Sequence, residues 1–271
     1  MPVYWFALSQ VGHKDWGRAI LIFFILHVLV YPASNGYNSY MDRDETPVGG
    51  LEKPLQPTRQ LFWVTVGMDL LAIALGLIID LFFVAGLAVY ILASRAYSYR
   101  GIRLKKYPVI GYLTVVICQG ALVYLLVFQG SHYPQEVRLS LEGVWEGMLI
   151  SSLLLGGFYP LTQIYQHEAD RKDGVRTLSL LLGYRGTFIF TAIVYLIAGV
   201  VLTHYFFNTL QDKEFYALAT SMLPTLVYFT IWAVKVWNDP AQASFRNTMR
   251  MNLLASLCIN AGFIAVLVIG S

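Results

Sequence analysis

Long apolar stretches alternate with short polar segments along the whole chain, and this pattern predicts the secondary structure. Eight of the stretches reach the roughly 20 residues that an α-helix needs to cross the hydrocarbon core of a bilayer. They lie near residues 18–40, 61–79, 81–99, 107–129, 143–166, 184–207, 215–237 and 250–270. We therefore expect an all-α fold, a polytopic transmembrane helical bundle with eight clear spans.

The opening stretch, MPVYWFALSQ, is apolar but too short to cross a bilayer. Neither a basic segment nor a small-residue cleavage site accompanies it, so we do not interpret it as a signal peptide. Residues 1–17 are expected to be a partial first helix and a loop. We interpret the helix as the remnant of a ninth span whose other half precedes Met1, as a start codon placed too far downstream would leave it. Residues 1–271 are expected to form one membrane domain.

Composition supports a membrane protein. The chain is 57% hydrophobic and 13% charged, whereas soluble domains carry about 25% charged residues. Cys118 and Cys258 both lie in apolar stretches, which excludes a disulfide framework and a cysteine metal site. No basic segment combines with base-stacking aromatic residues outside the spans, so no nucleic-acid partner is expected.

Charge is distributed unevenly between the two sides of the predicted bundle. The loops 41–60, 95–106, 167–185 and 238–249, with their flanking helix ends, contain 15 of the 19 Lys and Arg residues. The opposite side has only Lys14, Arg18, Arg138 and Lys213. Because cytoplasmic flanks accumulate Lys and Arg, the four basic loops are predicted to be cytoplasmic. We expect the membrane to be the plasma membrane of a prokaryote.

An internal repeat places similar polar residues at the ends of two spans. Residues 31–43 (YPASNGYNSYMDR) and 159–171 (YPLTQIYQHEADR) are identical at five of thirteen positions. Both segments end a span on the same side, and three other spans separate them. The sequence therefore predicts two parallel four-helix repeats. Some transporters are also built from parallel halves, so the repeat alone does not select an enzyme.

Helical spacing places the repeated polar residues on one stripe of each helix, at i, i+4, i+7 and i+11. The stripes are Tyr31, Asn35, Asn38 and Asp42 in the first copy, and Tyr159, Gln163, Gln166 and Asp170 in the second. Such groups are costly in lipid, so both stripes are expected to face the bundle interior, where intramembrane polar residues indicate a functional site. Hydrogen bonding between helices is the alternative, but it does not require a carboxylate at the same place in both copies.

Two facing carboxylates with neighbouring amides offer hard oxygen ligands suited to Mg²⁺, which takes the rest of its shell from water and substrate phosphates. Basic side chains of the adjacent loops would hold a diphosphate bridged through the metal: Lys53, Arg100, Arg103, Lys105, Lys106, Arg171 and Arg176. This combination suits departure of diphosphate from an allylic lipid. Aromatic residues can shelter the resulting cation, but most of Tyr97, Tyr99, Trp145 and Phe158 are interpreted as interfacial or packing residues.

Other polar residues of the spans receive weaker interpretations. His27 is expected to be a hydrogen-bonded core histidine, and His167 lies off the stripe of the second copy. Asp69 is isolated in its span, where a packing group, a helix contact and an acceptor-pocket residue all remain open. Asn252 and Asn260 are expected to bond neighbouring helices.

These segments resemble the UbiA-type intramembrane prenyltransferases, a family of nine-helix bundles with two Asp-rich motifs at cytoplasmic helix ends. The first family motif, NxxxDxxxD, is similar to the segment 31–46 through Asn38 and Asp42. The second, DxxxD followed by Gly, a basic residue and Thr-Leu, is similar to 159–178 through Asp170. Residues 53–55 (KPL), 97–98 (YS) and 103–111 (RLKKYPVIG) resemble further family segments in the same order.

The sequence departs from the family pattern at one Asp of each motif. Thr46 stands where the first motif has its second Asp, and Gln166 stands where the second motif has its first Asp. Asp42 and Asp170 are therefore the only carboxylates at motif positions. Three alternatives follow: the nearby Asp44 and Glu168 replace the missing metal ligands, the site binds metal weakly, or the protein is no longer catalytic.

The resemblance implies Mg²⁺-dependent transfer of a polyprenyl group from an isoprenyl diphosphate to an acceptor such as an aromatic quinone precursor. Its catalytic residues would be Asp42, Asp170 and Asn38, and its metal ligands Asp42, Asp44, Glu168 and Asp170. Its substrate-binding residues would be Asn35, Lys53, Arg103, Lys105, Lys106, Gln163, Gln166, Arg171 and Arg176. A transporter or a non-catalytic lipid- or isoprenoid-binding membrane protein is the alternative. Transport sites usually lie near the bilayer centre, whereas these acids end their spans.

Overall fold

A computed structural model describes residues 1–43, 45, 47, 49–132 and 143–270. A short helix, α1 (Pro2–Ser9), comes first, and eight helices long and apolar enough to cross a membrane follow within this part of the chain. They are α2 (Trp16–Asp42), α3 (Arg59–Gly76), α4 (Leu81–Ser98), α5 (Pro108–Gly130), α6 (Val144–Lys172), α7 (Leu178–Asn208), α8 (Asp212–Asn238) and α9 (Phe245–Ile269). The predicted all-α fold with eight spans is confirmed.

Short polar residues cap the N-termini of two of the helices. The side chain of Asp15 accepts a hydrogen bond from the backbone N–H of Arg18 at the start of α2, over 3.0 Å. Asp80 does the same for Phe83 at the start of α4, over 2.7 Å. Each cap satisfies an amide that would otherwise lack a partner in the first turn. The spans therefore begin where short polar residues precede the apolar runs.

Two helices extend six residues beyond the predicted spans. The apolar run of α6 ends near residue 166, but the helical backbone continues to Lys172 after a break, and the extra residues, HEADRK, are polar. Helix α7 begins at Leu178, six residues before the predicted start at 184. Its extra residues, LSLLLG, are mostly apolar, but Gly183 has non-helical backbone angles that separate them from the rest of the helix. Apolar periodicity marks the lipid-spanning part of a helix and therefore misses the polar end of α6.

Helix α1 is an integral part of the bundle. Phe6 and Ala7 are fully buried, and α1 packs against α5 and α9. The ring of Phe6 stacks on that of Phe263, with 4.9 Å between the ring centroids. Just after α1, Gln10 accepts a hydrogen bond from the hydroxyl of Tyr205, over 2.9 Å. The short first helix therefore closes one side of the bundle.

Small residues allow close helix crossings inside the bundle. At Gly120 of α5, the Cβ atom of any larger residue would lie 2.7 Å from the Cα atom of Ser152 on α6. Such contacts are typical of membrane helices, where small residues let backbones approach closely. Many large apolar side chains face outward instead, including Ile20, Leu196 and Leu253, each more than 60% exposed. A lipid environment accounts for these exposed side chains.

Asp69, whose role the sequence left open, forms a helix contact. Its Oδ2 atom accepts a hydrogen bond from Nε of Arg95 over 3.0 Å, which joins α3 to α4. The same guanidinium donates to Oγ1 of Thr65 over 3.1 Å and lies 4.0 Å from the ring centroid of Tyr37 on α2. This partly buried ion pair therefore ties three helices of the first repeat together.

Candidate functional site

Helices α2 and α6 present their repeated stripes to one cavity of about 310 Å³. We call it the mouth cavity, because it lies where both helices end. Its wall includes Asn35, Asn38 and Asp42 from α2, and Tyr159, Gln163, Gln166 and Asp170 from α6. Tyr31, the first member of its stripe, lies deeper and lines a second cavity. The two repeats thus place matching amides and carboxylates around a shared space.

Asp42 is the last residue of α2, and two basic side chains lie beside its carboxylate. Its side chain is 6% exposed and forms an ion pair with Lys105, while Nη2 of Arg103 lies 3.7 Å from its Oδ1 atom. Asn38, one turn earlier, accepts hydrogen bonds at Oδ1 from Ser98 over 2.8 Å and from Lys105 over 3.3 Å. The loop 99–107 therefore delivers two cations to the first Asp-rich motif.

The second motif is built differently, because α6 is broken inside it. The α-helix stops at Thr162, a 3₁₀ turn covers Ile164–Gln166, and a short helix covers His167–Lys172. Asp170 lies on the short helix, where its Oδ2 atom accepts a hydrogen bond from Oγ1 of Thr177 over 3.0 Å. The break changes the direction of the side chains that follow it.

A buried hydrogen-bond chain anchors this short helix. Nε2 of His167 lies 2.8 Å from Oγ of Ser179, which in turn lies 3.1 Å from Oγ1 of Thr187. The imidazole also stacks on Tyr184, with 4.7 Å between ring centroids. Gly183 has a φ of 69° within α7, a conformation that favours glycine. His167 faces away from the cavity and fixes the Asp170 segment to α7.

A pair of tyrosines connects the two repeats in the cavity wall. The hydroxyl groups of Tyr97 and Tyr159 are hydrogen bonded to each other, and the charges of Asp42 and Asp170 both act on Tyr97. The interpretation of Tyr97 as an interfacial or packing residue needs correction, because its side chain lines the mouth cavity. Tyr99 and Trp145 are about half exposed, as interfacial residues are.

Six predicted site residues do not line either cavity and are exposed: Lys53, Arg100, Lys106, Glu168, Arg171 and Arg176. Arg103 does not line a cavity either, but its side chain is only 13% exposed. Helix geometry explains Glu168, since two residues correspond to a rotation of about 200° and direct its side chain away from that of Asp170. Lys106 instead lies against the ring of Tyr107. Asp44, the remaining predicted ligand, and Thr46 lie outside the described residues.

Several cavity residues were missed in the sequence. Helix α4 contributes a polar stripe that begins at Tyr90 and continues at i+4, i+7 and i+8. A search for polar helical stripes outside the repeat would have found it. Asp173 follows Asp170 by three residues, so i, i+3 spacing would have indicated that both lie on the same side of a helix. The missed residues are Tyr90, Ser94, Tyr97, Ser98, Gln119, Asp173 and Thr177.

A second cavity of about 330 Å³, which we call the inner cavity, continues from the first. The two share Ser34, Asn35, Tyr90 and Gln119 as wall residues. Beyond this polar boundary the lining becomes largely apolar. It includes Val3, Phe6, Leu154, Leu155, Phe158, Met222, Ile259 and Phe263. A ligand with an anionic head and an apolar tail matches this order of surfaces.

The mouth cavity fits a magnesium ion that is shared with a phosphate ligand. In the part of the chain that the structure describes, no three His, Cys, Asp or Glu side chains form a group that could hold a metal. Oxygen donors are nevertheless available: Oδ1 of Asp42 and Oε1 of Gln163 are buried and find no hydrogen-bond partner among these residues. Mg²⁺ commonly takes one or two carboxylates and completes its shell with water and phosphate oxygens.

The fold and cavities define a polytopic helical membrane protein with a polar site that opens into an apolar cavity. The sequence matches the model of the UbiA prenyltransferase family over residues 1–254. The chain therefore belongs to the UbiA prenyltransferase family. No curated protein matches the sequence.

Three solved structures show the same fold at low sequence identity. The apo structure of a UbiA homolog from Aeropyrum pernix K1 has a TM-score of 0.69 and 18% identity, covering 97% of this chain and 94% of the homolog. A UbiA homolog from Archaeoglobus fulgidus bound to GPP and Mg²⁺ has a TM-score of 0.61 and 17% identity, with coverages of 98% and 96%. A digeranylgeranylglyceryl phosphate synthase has a TM-score of 0.62 and 16% identity, with coverages of 98% and 90%.

Proposed function

We propose that this protein transfers a polyprenyl group from an isoprenyl diphosphate to a small acceptor, such as an aromatic quinone precursor, in a Mg²⁺-dependent reaction. The observation that carries the proposal is that a polar, charged cavity leads directly into an apolar one. Carboxylates, amides and the ammonium group of Lys105 line the mouth cavity, and an apolar inner cavity continues from it. The Archaeoglobus fulgidus homolog bound to GPP and Mg²⁺ supports the choice of donor and metal.

In this proposal the diphosphate occupies the mouth cavity. Asp42 and Asp170 would hold a magnesium ion, Asn38 would position Asp42, and the amides Asn35, Gln163 and Gln166 would contribute polar contacts. Bound magnesium supplies positive charge to the leaving diphosphate. Lys105 and Arg103, which already lie beside Asp42, donate charge-assisted hydrogen bonds to the phosphate oxygens.

The reaction breaks the bond between the allylic carbon and the diphosphate oxygen, and the electron pair leaves with the diphosphate. The allylic cation forms near Tyr97, Tyr159 and Tyr90, whose aromatic faces stabilise positive charge. A carbon of the acceptor then bonds to the allylic carbon and loses its proton to water at the cavity mouth. The apolar inner cavity holds the tail and limits the access of water to the cation.

We propose that the mouth cavity opens to the cytoplasm of a prokaryotic cell. The support is the asymmetry of Lys and Arg, since most of them lie on the side where α2 and α6 end. A cysteine introduced by Ala241→Cys in the exposed loop between α8 and α9, in a chain that carries Cys118→Ser and Cys258→Ser, tests the orientation through its reaction with a thiol-specific probe. Labelling of intact cells by a membrane-impermeant reagent would contradict it.

A non-catalytic isoprenoid-binding protein is the second candidate. The observation that favours it is the neutralisation of Asp42 by the protein's own Lys105 and Arg103, together with Thr46 and Gln166 at two Asp positions of the motifs. Such a protein binds isoprenyl diphosphate without cleaving it.

The deciding experiment uses purified protein in lipid nanodiscs with labelled GPP, MgCl₂ and a panel of aromatic acceptors. We expect a labelled, solvent-extractable product that is lost with EDTA and with Asp42→Ala. Binding of GPP without any diphosphate release would favour the non-catalytic candidate. Transfer that persists at the wild-type rate in a folded Asp42→Ala protein would rule out the proposed site.

A further inference from the structure

Asp173 lies at the edge of the mouth cavity, although the repeat does not predict it. It follows Asp170 by three residues, and both side chains line the same wall. On a helical segment this spacing separates two side chains by only about 60° of rotation. The second motif therefore offers the cavity two carboxylates despite Gln166.

A single guanidinium connects Asp173 to the first motif. Nη2 of Arg103 forms an ion pair with the carboxylate of Asp173 and lies 3.7 Å from Oδ1 of Asp42. Nη1 also donates to the backbone carbonyl of Asp173 over 3.5 Å. We call this set of contacts the Arg103 bridge. It links the end of α2, the loop 99–107 and the end of α6.

The Arg103 bridge is built into the fold, yet it is incompletely satisfied. The side chain of Arg103 is 13% exposed, and its backbone has a φ of 52°, which is uncommon for a residue with a side chain. Its Nε atom is buried and has no hydrogen-bond partner among the described residues. The side chain thus has an unused donor beside a cavity that fits phosphate.

Two buried acceptors of the same cavity also lack partners. Asp42 is 6% exposed at its side chain, and its Oδ1 atom accepts no hydrogen bond within the described chain. Gln163 is 8% exposed, and its Oε1 atom also accepts no hydrogen bond within the described chain. Buried acceptors of this kind are costly unless a ligand completes them. Both line the cavity that Asp173 borders, so these atoms point to a cation as the missing partner.

We propose that Asp173 is an additional metal-binding carboxylate of the second motif, and that Arg103 is its exchangeable counter-ion. This inference rests on the proposed function. When a metal diphosphate enters, Arg103 moves from Asp173 to the phosphate oxygens, since a guanidinium matches phosphate with two parallel hydrogen bonds. The released carboxylate of Asp173 then binds the metal beside Asp170 and replaces the acid that Gln166 lacks.

The experiment measures Mn²⁺ binding to purified protein by electron paramagnetic resonance, with and without inorganic pyrophosphate. We expect Asp173→Asn to weaken Mn²⁺ binding in the presence of pyrophosphate by about tenfold or more, as loss of a metal-site carboxylate does. Asp173→Glu keeps the charge and is expected to retain most of the affinity. Asp239→Asn, an exposed carboxylate between α8 and α9, is the matched control.

Arg103→Gln provides a readout that a merely structural ion pair would not give. Removing the counter-ion frees two carboxylates, so the affinity for Mn²⁺ alone is expected to rise. The affinity for Mn²⁺ with pyrophosphate is expected to fall by about tenfold, because a charge-assisted hydrogen bond to phosphate is lost. Opposite changes in the two titrations support the exchange, and changes of the same sign contradict it.

The outcomes separate this inference from the proposed function. Wild-type protein that binds no Mn²⁺ with pyrophosphate, GPP or a GPP analogue would overturn both. Binding that is lost in Asp42→Asn but unchanged in Asp173→Asn would leave the function in place and overturn the role of Asp173. A larger loss in Glu168→Gln than in Asp173→Asn would also overturn it, in favour of the ligand that the sequence suggested.

Discussion

The two Asp-rich motifs share a sequence pattern but differ in their backbones. Helix α2 runs without interruption from its π-helical turn, Ile25–Val30, to Asp42. Helix α6 stops at Thr162 and resumes as the short helix His167–Lys172. The first motif depends on cations from another loop for its local order, whereas the second depends on hydrogen bonds from α7. A repeat in sequence therefore fixes which residues face the cavity, but not how each copy is supported.

This difference assigns separate tasks to the two halves. Asp42 is held by Lys105 and Arg103, so its surroundings carry the positive charge that a diphosphate needs. Asp170 receives a hydroxyl from Thr177, and Asp173 lies beside it on the same wall. In the proposed function, the first half would therefore combine anion and metal binding, and the second half would supply carboxylates.

The largest expected effect is loss of transfer when either central carboxylate is removed. Asp42→Ala and Asp170→Ala are each expected to lower the turnover number by at least about 100-fold, because each removes electrostatic stabilisation of the departing diphosphate. Steady-state kinetics with labelled GPP measures the loss. An Asp170→Ala protein with nearly wild-type turnover would show that the second half does not take part.

The next effect concerns Lys105, which forms an ion pair with Asp42 at the end of α2. Lys105→Met is expected to weaken binding of GPP with Mg²⁺ by about tenfold, since a charge-assisted hydrogen bond is worth roughly 1.5–3 kcal/mol. Isothermal titration in nanodiscs measures the affinity. Lys235→Met, on the distant α8, is the control, and an equal loss in both variants would indicate a nonspecific effect of charge.

Removal of the His167 side chain tests the support of the second half. His167→Ala removes the imidazole that bonds buried Ser179 and stacks on Tyr184, which is expected to cost about 1–3 kcal/mol. Hydrogen exchange should increase in residues 167–187 and stay unchanged in residues 31–42. His167→Gln, which can still bond Ser179, should restore part of the protection. Equal increases in both segments would contradict separate support for the two halves.

Thr177 is expected to give the smallest effect. Its hydroxyl donates to Asp170 and also caps α7 by accepting from the backbone N–H of Leu180, over 3.2 Å. Thr177→Val should lower stability by about 1 kcal/mol, as loss of an N-cap does, and Thr177→Ser should restore it. Thermal unfolding in nanodiscs measures the change. An unaltered melting temperature in Thr177→Val would show that the cap is dispensable.

The sequence predicted the fold more completely than the site. Eight spans followed from apolar length, because lipid requires long apolar helices. The stripes of the repeat followed from helical periodicity, and the structure places their amides and carboxylates around the mouth cavity.

The remaining features depend on contacts between segments that are distant in the sequence. Loop residues follow no helical periodicity. The sequence therefore could not show that Lys105 approaches Asp42, nor that Lys53 and Lys106 are exposed. The break at Gln163 could not be located from the sequence either. Pro160 is the residue expected to interrupt α6, but it lies inside the helix.

The most direct test of the central claim is a structure of the protein with Mn²⁺ and a non-hydrolysable GPP analogue, with the metal located by its anomalous signal. We predict a peak between Asp42 of α2 and Asp170 of α6, with the diphosphate next to Lys105 and the prenyl tail in the inner cavity. A peak bound by the residues of one helix only, or located outside the mouth cavity, would contradict the account.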